Sequence, residues 1–159
     1  MSQYLAAHME DSYLPAFGNC EGQFAPAVKN MMRVNPWSVD SAFDWQFIKK
    51  EWDMLAISQS KSSFIECSPP NMVRVSSILK VFEDCKYIFS ISSPYSFIAS
   101  HVYNYYIKDN RFGNSALKFD NAIVRSTENW IQKASIQKNN IELYAGDKLR
   151  ITYEEFCAN

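Results

Sequence analysis

The groups best placed to do chemistry in this chain stand in two short loops, Cys67-Ser68-Pro69-Pro70-Asn71 and Ser92-Ser93, each directly after a β-favouring run. Ligands of open parallel sheets sit outside the carboxyl ends of the strands, so these hydroxyls, the thiol and the amide are where a ligand would be held. Metal chemistry is not expected. Cys20, Cys67, Cys85 and Cys157 form no CxxC pair and no Cys/His ligand spacing, so neither zinc nor a thioredoxin-type dithiol is indicated and reduced thiols are the default. His8 and His101 are the only histidines, each in a helical pattern; His101, next to Ser100, could assist an anion site, although a helix-face histidine is the plainer reading. No GxxxxGK[ST] motif is present, which leaves a phosphate-loop kinase without its signature.

The elements that must position these groups form one βαβ unit over residues 63–100. Residues 63–67 (SFIEC) read as a strand stopped by Pro69 and Pro70, which cannot continue a ladder. Asn71 is expected to cap a helix from Met72 to Phe82, with Met72, Val75, Ile78, Leu79 and Phe82 on its apolar face and Arg74, Ser77 and Lys80 on the other. Residues 86–92 form the second strand, and Ser93 with Pro94 opens the next helix. A connection of that length implies a parallel pair and a right-handed crossover. Residues 148–152 are expected as a third parallel strand of the same sheet, and residues 39–59, 94–107 and 119–138 as helices. On the first of these, Phe43, Phe47, Met54 and Leu55 define the apolar face, Trp45 and Trp52 widen it, and Asp40 is polar. On the last, Ile123, Trp130 and Ile131 are buried. Residues 109–115 read as a polar loop. Strands alternating with helices give an α/β fold: a three-layer α/β/α arrangement around a parallel sheet, in one domain spanning residues 1–159.

Composition limits the partners. The 159 residues are 47% apolar and 15% aromatic, enough for a core, and a net charge of −1 supplies no bulk attraction to nucleic acid or anionic membrane. RNA binding through Tyr103, Tyr105 and Tyr106 fails on that charge, and stacking of a base on Trp45 or Trp52 yields to packing at helical spacing. No apolar run approaches eighteen residues and the N-terminus carries no export signal, so a cytoplasmic protein is expected.

Four stretches, in order, resemble the sulfotransferases that use 3′-phosphoadenosine-5′-phosphosulfate as sulfuryl donor. Residues 66–74 (ECSPPNMVR) look like that family's acidic-Lys-Ser-Pro segment, and residues 86–100 resemble its strand and helix for the donor's 3′-phosphate. Residues 121–130 are similar to its following long helix, and residues 149–157 (LRITYEEFC) to its strand with a Tyr-Glu ending. The resemblance implies a P-loop-type fold, incomplete here, with the first strand and Gly-Thr-rich loop upstream of Met1 and a C-terminal segment beyond Asn159. That would explain a helical pattern starting at the first residue.

Carried over residue by residue, Ser100 takes the place of the phosphate-binding Ser, and Ser92 that of the Arg that closes the strand. Cys67 takes that of the Lys, and Tyr153 that of the Tyr on the 3′-phosphate side. Glu21, in Cys20-Glu21-Gly22-Gln23-Phe24, matches the carboxylate that deprotonates the acceptor hydroxyl in several branches, as an in-line displacement at sulfur requires. The implied activity is sulfuryl transfer from this co-substrate, without a metal, to a hydroxyl of a carbohydrate or small-molecule acceptor. The alternative is a catalytically inactive remnant kept as a binding or interaction module, because Ser92 and Cys67 remove two cations.

Overall fold

Asp44, whose side chain accepts from Phe47 N at 2.9 Å, starts the helix that organises the first half of the computed structural model, which describes residues 2–39, 42–104, 108 and 116–158. The chain divides into two units, Met1–Asp84 and Cys85–Asn159. In the first, α1 (Ser2–His8) precedes β1 (Ser12–Tyr13), two short 3₁₀ turns (Gly18–Cys20 and Gly22–Phe24), α2 (Lys29–Met32), α3 (Trp45–Ser58) and β2 (Ser63–Phe64). A 3₁₀ segment, Pro69–Arg74, then leads into the single turn α4 (Val75–Ile78). β1 and β2 pair in parallel, Ser12 opposite Ser63 and Tyr13 opposite Phe64, with the two serine hydroxyls 2.6 Å apart.

Trp45, Ile48, Trp52 and Ala56, spaced 3, 4 and 4 apart, form the buried face of α3. The expected apolar face is therefore corrected, since Phe47 and Met54 are exposed. Trp52 stacks on Phe64 (centroids 5.3 Å, 6° between planes) and Trp45 meets Phe43 and Phe82 edge-on. Both tryptophans are core, as their spacing implied. Asp40 and residues 105–107 and 109–115, with the expectations for Tyr105, Tyr106 and the polar loop, lie outside the described residues.

The expected long helix after Asn71 is also corrected. Pro69 and Pro70 bring no N–H to the first turn, the backbone tightens into 3₁₀, and α-geometry lasts only from Val75 to Ile78. That twist turns Arg74 inward rather than to solvent: it is 2% exposed, its guanidinium lies 4.2 Å over the Phe43 ring, and it donates to the carbonyls of Asn35 and Pro36.

In the second unit, β3 (Tyr87–Ile91) leads into α5 (Pro94–Val102), and the 28-residue α6 (Ala116–Leu143) is followed by β4 (Lys148–Thr152) and α7 (Tyr153–Ala158). β3 and β4 are parallel, in register from Tyr87 opposite Lys148 to Ile91 opposite Thr152. Ser93 caps α5 by accepting from Ser96 N at 3.2 Å, with Pro94 at the first helical position, as expected. On α6, Ala122 and Ser126 are buried while Ile123 and Ile131 are exposed, which corrects the face assigned from sequence.

The architecture is mixed α/β with two small parallel sheets. The ladder expected between residues 63–67 and 86–92 is not among the pairings of the described residues: the former takes β1 as its partner and the latter β4. A parallel crossover needs a connection that carries the chain back along the strand, and a 3₁₀ segment with one α-turn does not match the helix expected there.

Candidate functional site

In the first unit the chemistry gathers where the Cys20–Phe24 loop meets the segment after β2. Glu66, half-buried, receives three donors: Gly22 N at 2.7 Å, Ser68 N at 2.5 Å and Asn71 Nδ2 at 3.1 Å. Asn71, expected as a helix cap, instead passes a link onward, because its Oδ1 accepts from Arg74 Nη1 at 3.4 Å. The opposite wall is held by Gln23 N donating to Ser68 Oγ at 3.1 Å and by the Trp52 indole donating to the Gly22 carbonyl at 3.2 Å. Gly22 has to be glycine: a Cβ there would overlap Glu66 Oε2 and come within 2.9 Å of the Trp52 ring.

Burial pushes the Glu66 carboxyl up to about 7, against the pull of the donors from Ser68 and Gly22 and with a further push from the nearby Glu21 carboxylate. Glu21 itself accepts from Gln23 Nε2. Gln23 is 5% exposed, and its Oε1 is buried with no hydrogen-bond partner. Two carboxyl groups and an orphan amide oxygen thus line one loop junction. A carboxyl near 7 can take or give a proton at neutral pH.

In the second unit the parallel register brings Ser92 and Tyr153, the residues after Ile91 and Thr152, to the same carboxyl edge. Ser92 is fixed by its carbonyl, which accepts from Trp130 Nε1 at 3.0 Å, whereas the Tyr153 side chain is exposed. Ser100 lies on the exposed side of α5 with its hydroxyl accepting from Asn104 Nδ2 at 3.1 Å. The N-terminus of α5 is already filled: Ser93 N donates to both oxygens of Glu154, at 3.0 and 3.1 Å. That bond holds the Glu154 carboxyl below the usual carboxylate range. A helix N-terminus favours an anion, and here the chain provides its own.

Glu21 therefore belongs to the first unit's junction, and Ser92, Ser100 and Tyr153 to the second unit. Sequence reasoning named Glu66 only as the acid of a motif and missed Glu154 as an internal ligand. The signal for Glu66 was its position two residues before Ser68, where a bent chain lets a carboxylate reach the Ser68 N–H. His101, placed beside Ser100 in sequence, shares a 2.9 Å hydrogen bond between its Nδ1 and Ser126 Oγ, and burial and Lys133 lower its pKa.

The class defined by these units is a mixed α/β protein with carboxyl-rich loops at its strand ends. Comparison with protein-family models, curated proteins and solved structures finds no match. Among the described residues no cluster of three or more His, Cys, Asp or Glu is placed to hold a metal, and no helix is long and apolar enough to cross a membrane.

Proposed function

We propose that the chain is a sulfotransferase-like protein of the P-loop-type α/β class whose donor site is closed by its own carboxylate. It acts as a binding module for a hydroxyl-bearing ligand of carbohydrate type. The observation that carries this reading is the two-pronged contact of Glu154 with Ser93 N, at the helix start where the donor's 3′-phosphate would dock. Ser92 and Cys67 stand where the family has cations, and Arg74, the cation of the same segment, is committed to backbone carbonyls and to Phe43. A phosphate at α5 would have to displace Glu154 without a guanidinium to compensate.

The loop junction of the first unit is better equipped to hold a ligand. Glu21, Glu66 and the orphan Gln23 Oε1 are hydrogen-bond acceptors that suit the hydroxyls of a sugar. The cysteine pattern and a net charge of −1 support a cytoplasmic setting without nucleic-acid or membrane partners. A second reading, active sulfuryl transfer, draws support from Glu66: a carboxyl at about 7 beside Glu21 could accept the acceptor hydroxyl's proton as the new S–O bond forms. The test is transfer of radiolabelled sulfuryl from 3′-phosphoadenosine-5′-phosphosulfate to a panel of mono- and oligosaccharides. The binding-module reading expects no incorporation. Labelled product that disappears in Glu21→Gln or Glu66→Gln would replace it with the transferase.

A further inference from the structure

Three consecutive residues of the first unit, Gly18 (φ 55°), Asn19 (φ 60°) and Cys20 (φ 67°), have left-handed backbone. Glycine and asparagine adopt that region readily, whereas cysteine with its Cβ does so only where the surroundings impose it. The run turns the Cys20 carbonyl onto the chain after β2, where the Cys67 thiol donates a hydrogen bond to it. A carbonyl oxygen lies about 2.4 Å from its own Cα. The contact sets the Cys67 sulfur beside the Cys20 backbone, and a disulfide there requires the two Cα atoms about 4.4–6.8 Å apart. Flanking contacts fix the register, Gly22 N to Glu66 on one side and Gln23 N to Ser68 Oγ on the other. Both residues are partly exposed and neither is in a disulfide.

We propose that Cys20 and Cys67 are an oxidisable pair whose disulfide staples the Glu21 loop to the Glu66–Ser68 segment. The oxidant is a small disulfide such as oxidised glutathione. One cysteine thiolate attacks it, forming a mixed disulfide and releasing one glutathione thiolate. The second cysteine then attacks the protein sulfur and releases the other glutathione. Two protein thiols lose two protons and two electrons, and the oxidant becomes two thiols. In the reduced form no covalent bond crosses the junction; in the oxidised form the Cys20–Cys67 bridge, spanning 47 positions of sequence, ties the Glu21 loop to the Glu66 segment.

The full chain is incubated with excess oxidised glutathione, alkylated, digested without reductant and analysed by mass spectrometry. The expected result is a peptide linking Cys20 to Cys67, about 2 Da lighter than the two free-thiol peptides together. A rise of about 10 °C in the melting of the Trp45 and Trp52 fluorescence should accompany it and be reversed by dithiothreitol. Cys67→Ser and Cys67→Ala should each lose both effects. No cross-link, a mixed disulfide that never resolves, or links that draw in Cys85 or Cys157 while Cys20 and Cys67 stay alkylatable would each overturn the proposal. Because the wild-type peptide map identifies the pair without any substitution, a variant that fails to fold leaves the result readable.

Discussion

Substituting Glu66→Gln should remove a pH dependence of stability that the wild-type chain carries at this one side chain. A rise of the carboxyl from 4.5 to about 7 on folding corresponds to about 3 kcal/mol. The folded chain holds the Glu66 proton at a pH where the unfolded chain has released it. That contribution is fully present below pH 4.5 and is lost as pH rises through about 7. The glutamine of the variant does not titrate, but its amide must turn an NH₂ toward Gly22 N or toward the Ser68 and Asn71 donors, so one acceptor is lost at every pH. The variant should be less stable than wild type at pH 4.5, and the gap should close by about 3 kcal/mol towards pH 8. Urea titrations of both chains at pH 4.5, 6 and 8, followed by tryptophan fluorescence, measure the difference, and titrations common to both chains cancel. With a slope of about 1–3 kcal/mol per molar urea, the two midpoints should approach each other by about 1–3 M. A gap that stays constant, or widens as pH rises, would show that Glu66 is not held in a desolvated site.

Two further substitutions probe the same geometry. Gly22→Ala places a methyl group against Glu66 Oε2 and the Trp52 ring, so it should cost about 1–3 kcal/mol in urea unfolding and displace the pH-dependent transition assigned to Glu66; an unchanged midpoint would mean that the loop does not sit against the carboxylate. Trp130→Phe leaves the Ser92 carbonyl without its indole donor and should cost about 1 kcal/mol in the second unit, with the far-ultraviolet circular dichroism unchanged; loss of helical signal would place Trp130 in a larger structural role.

What could be read from sequence was what local chemistry decides. The Ser93 cap and Pro94 start of α5 were legible because both act within one turn, and residues 148–152 were legible as a strand from their bounded run. The buried face of α3 was misread because aromatics stand on several sides of the helix, and only packing against Phe64 and Phe82 selects Trp45 and Trp52 over Phe47 and Met54. Strand partners were illegible for a related reason, since β1 is two residues long and gives no periodic signal. At the site, Glu21 could be singled out by its segment, whereas the environment of Glu66 is set by Gly22, 44 positions away. Glu154 was read as half of a Tyr-Glu ending; its role depends on the β3–β4 register, which sets the start of α7 beside the start of α5.

Whether the chain's own carboxylate takes the place of a donor phosphate is decided by calorimetric titration with 3′-phosphoadenosine-5′-phosphate. The wild type, Glu154→Gln, and the double variant Ser92→Arg with Glu154→Gln are compared. On the proposed reading two charge-assisted contacts to the donor are absent, at about 1.5–3 kcal/mol each, or roughly a hundredfold to ten-thousandfold in affinity, so the wild type should give no saturable heat. The double variant frees Ser93 N and supplies a guanidinium, and it should bind at least about tenfold more tightly than Glu154→Gln alone. Tight wild-type binding, or no gain in the double variant, would show that Glu154 does not stand in a phosphate's place.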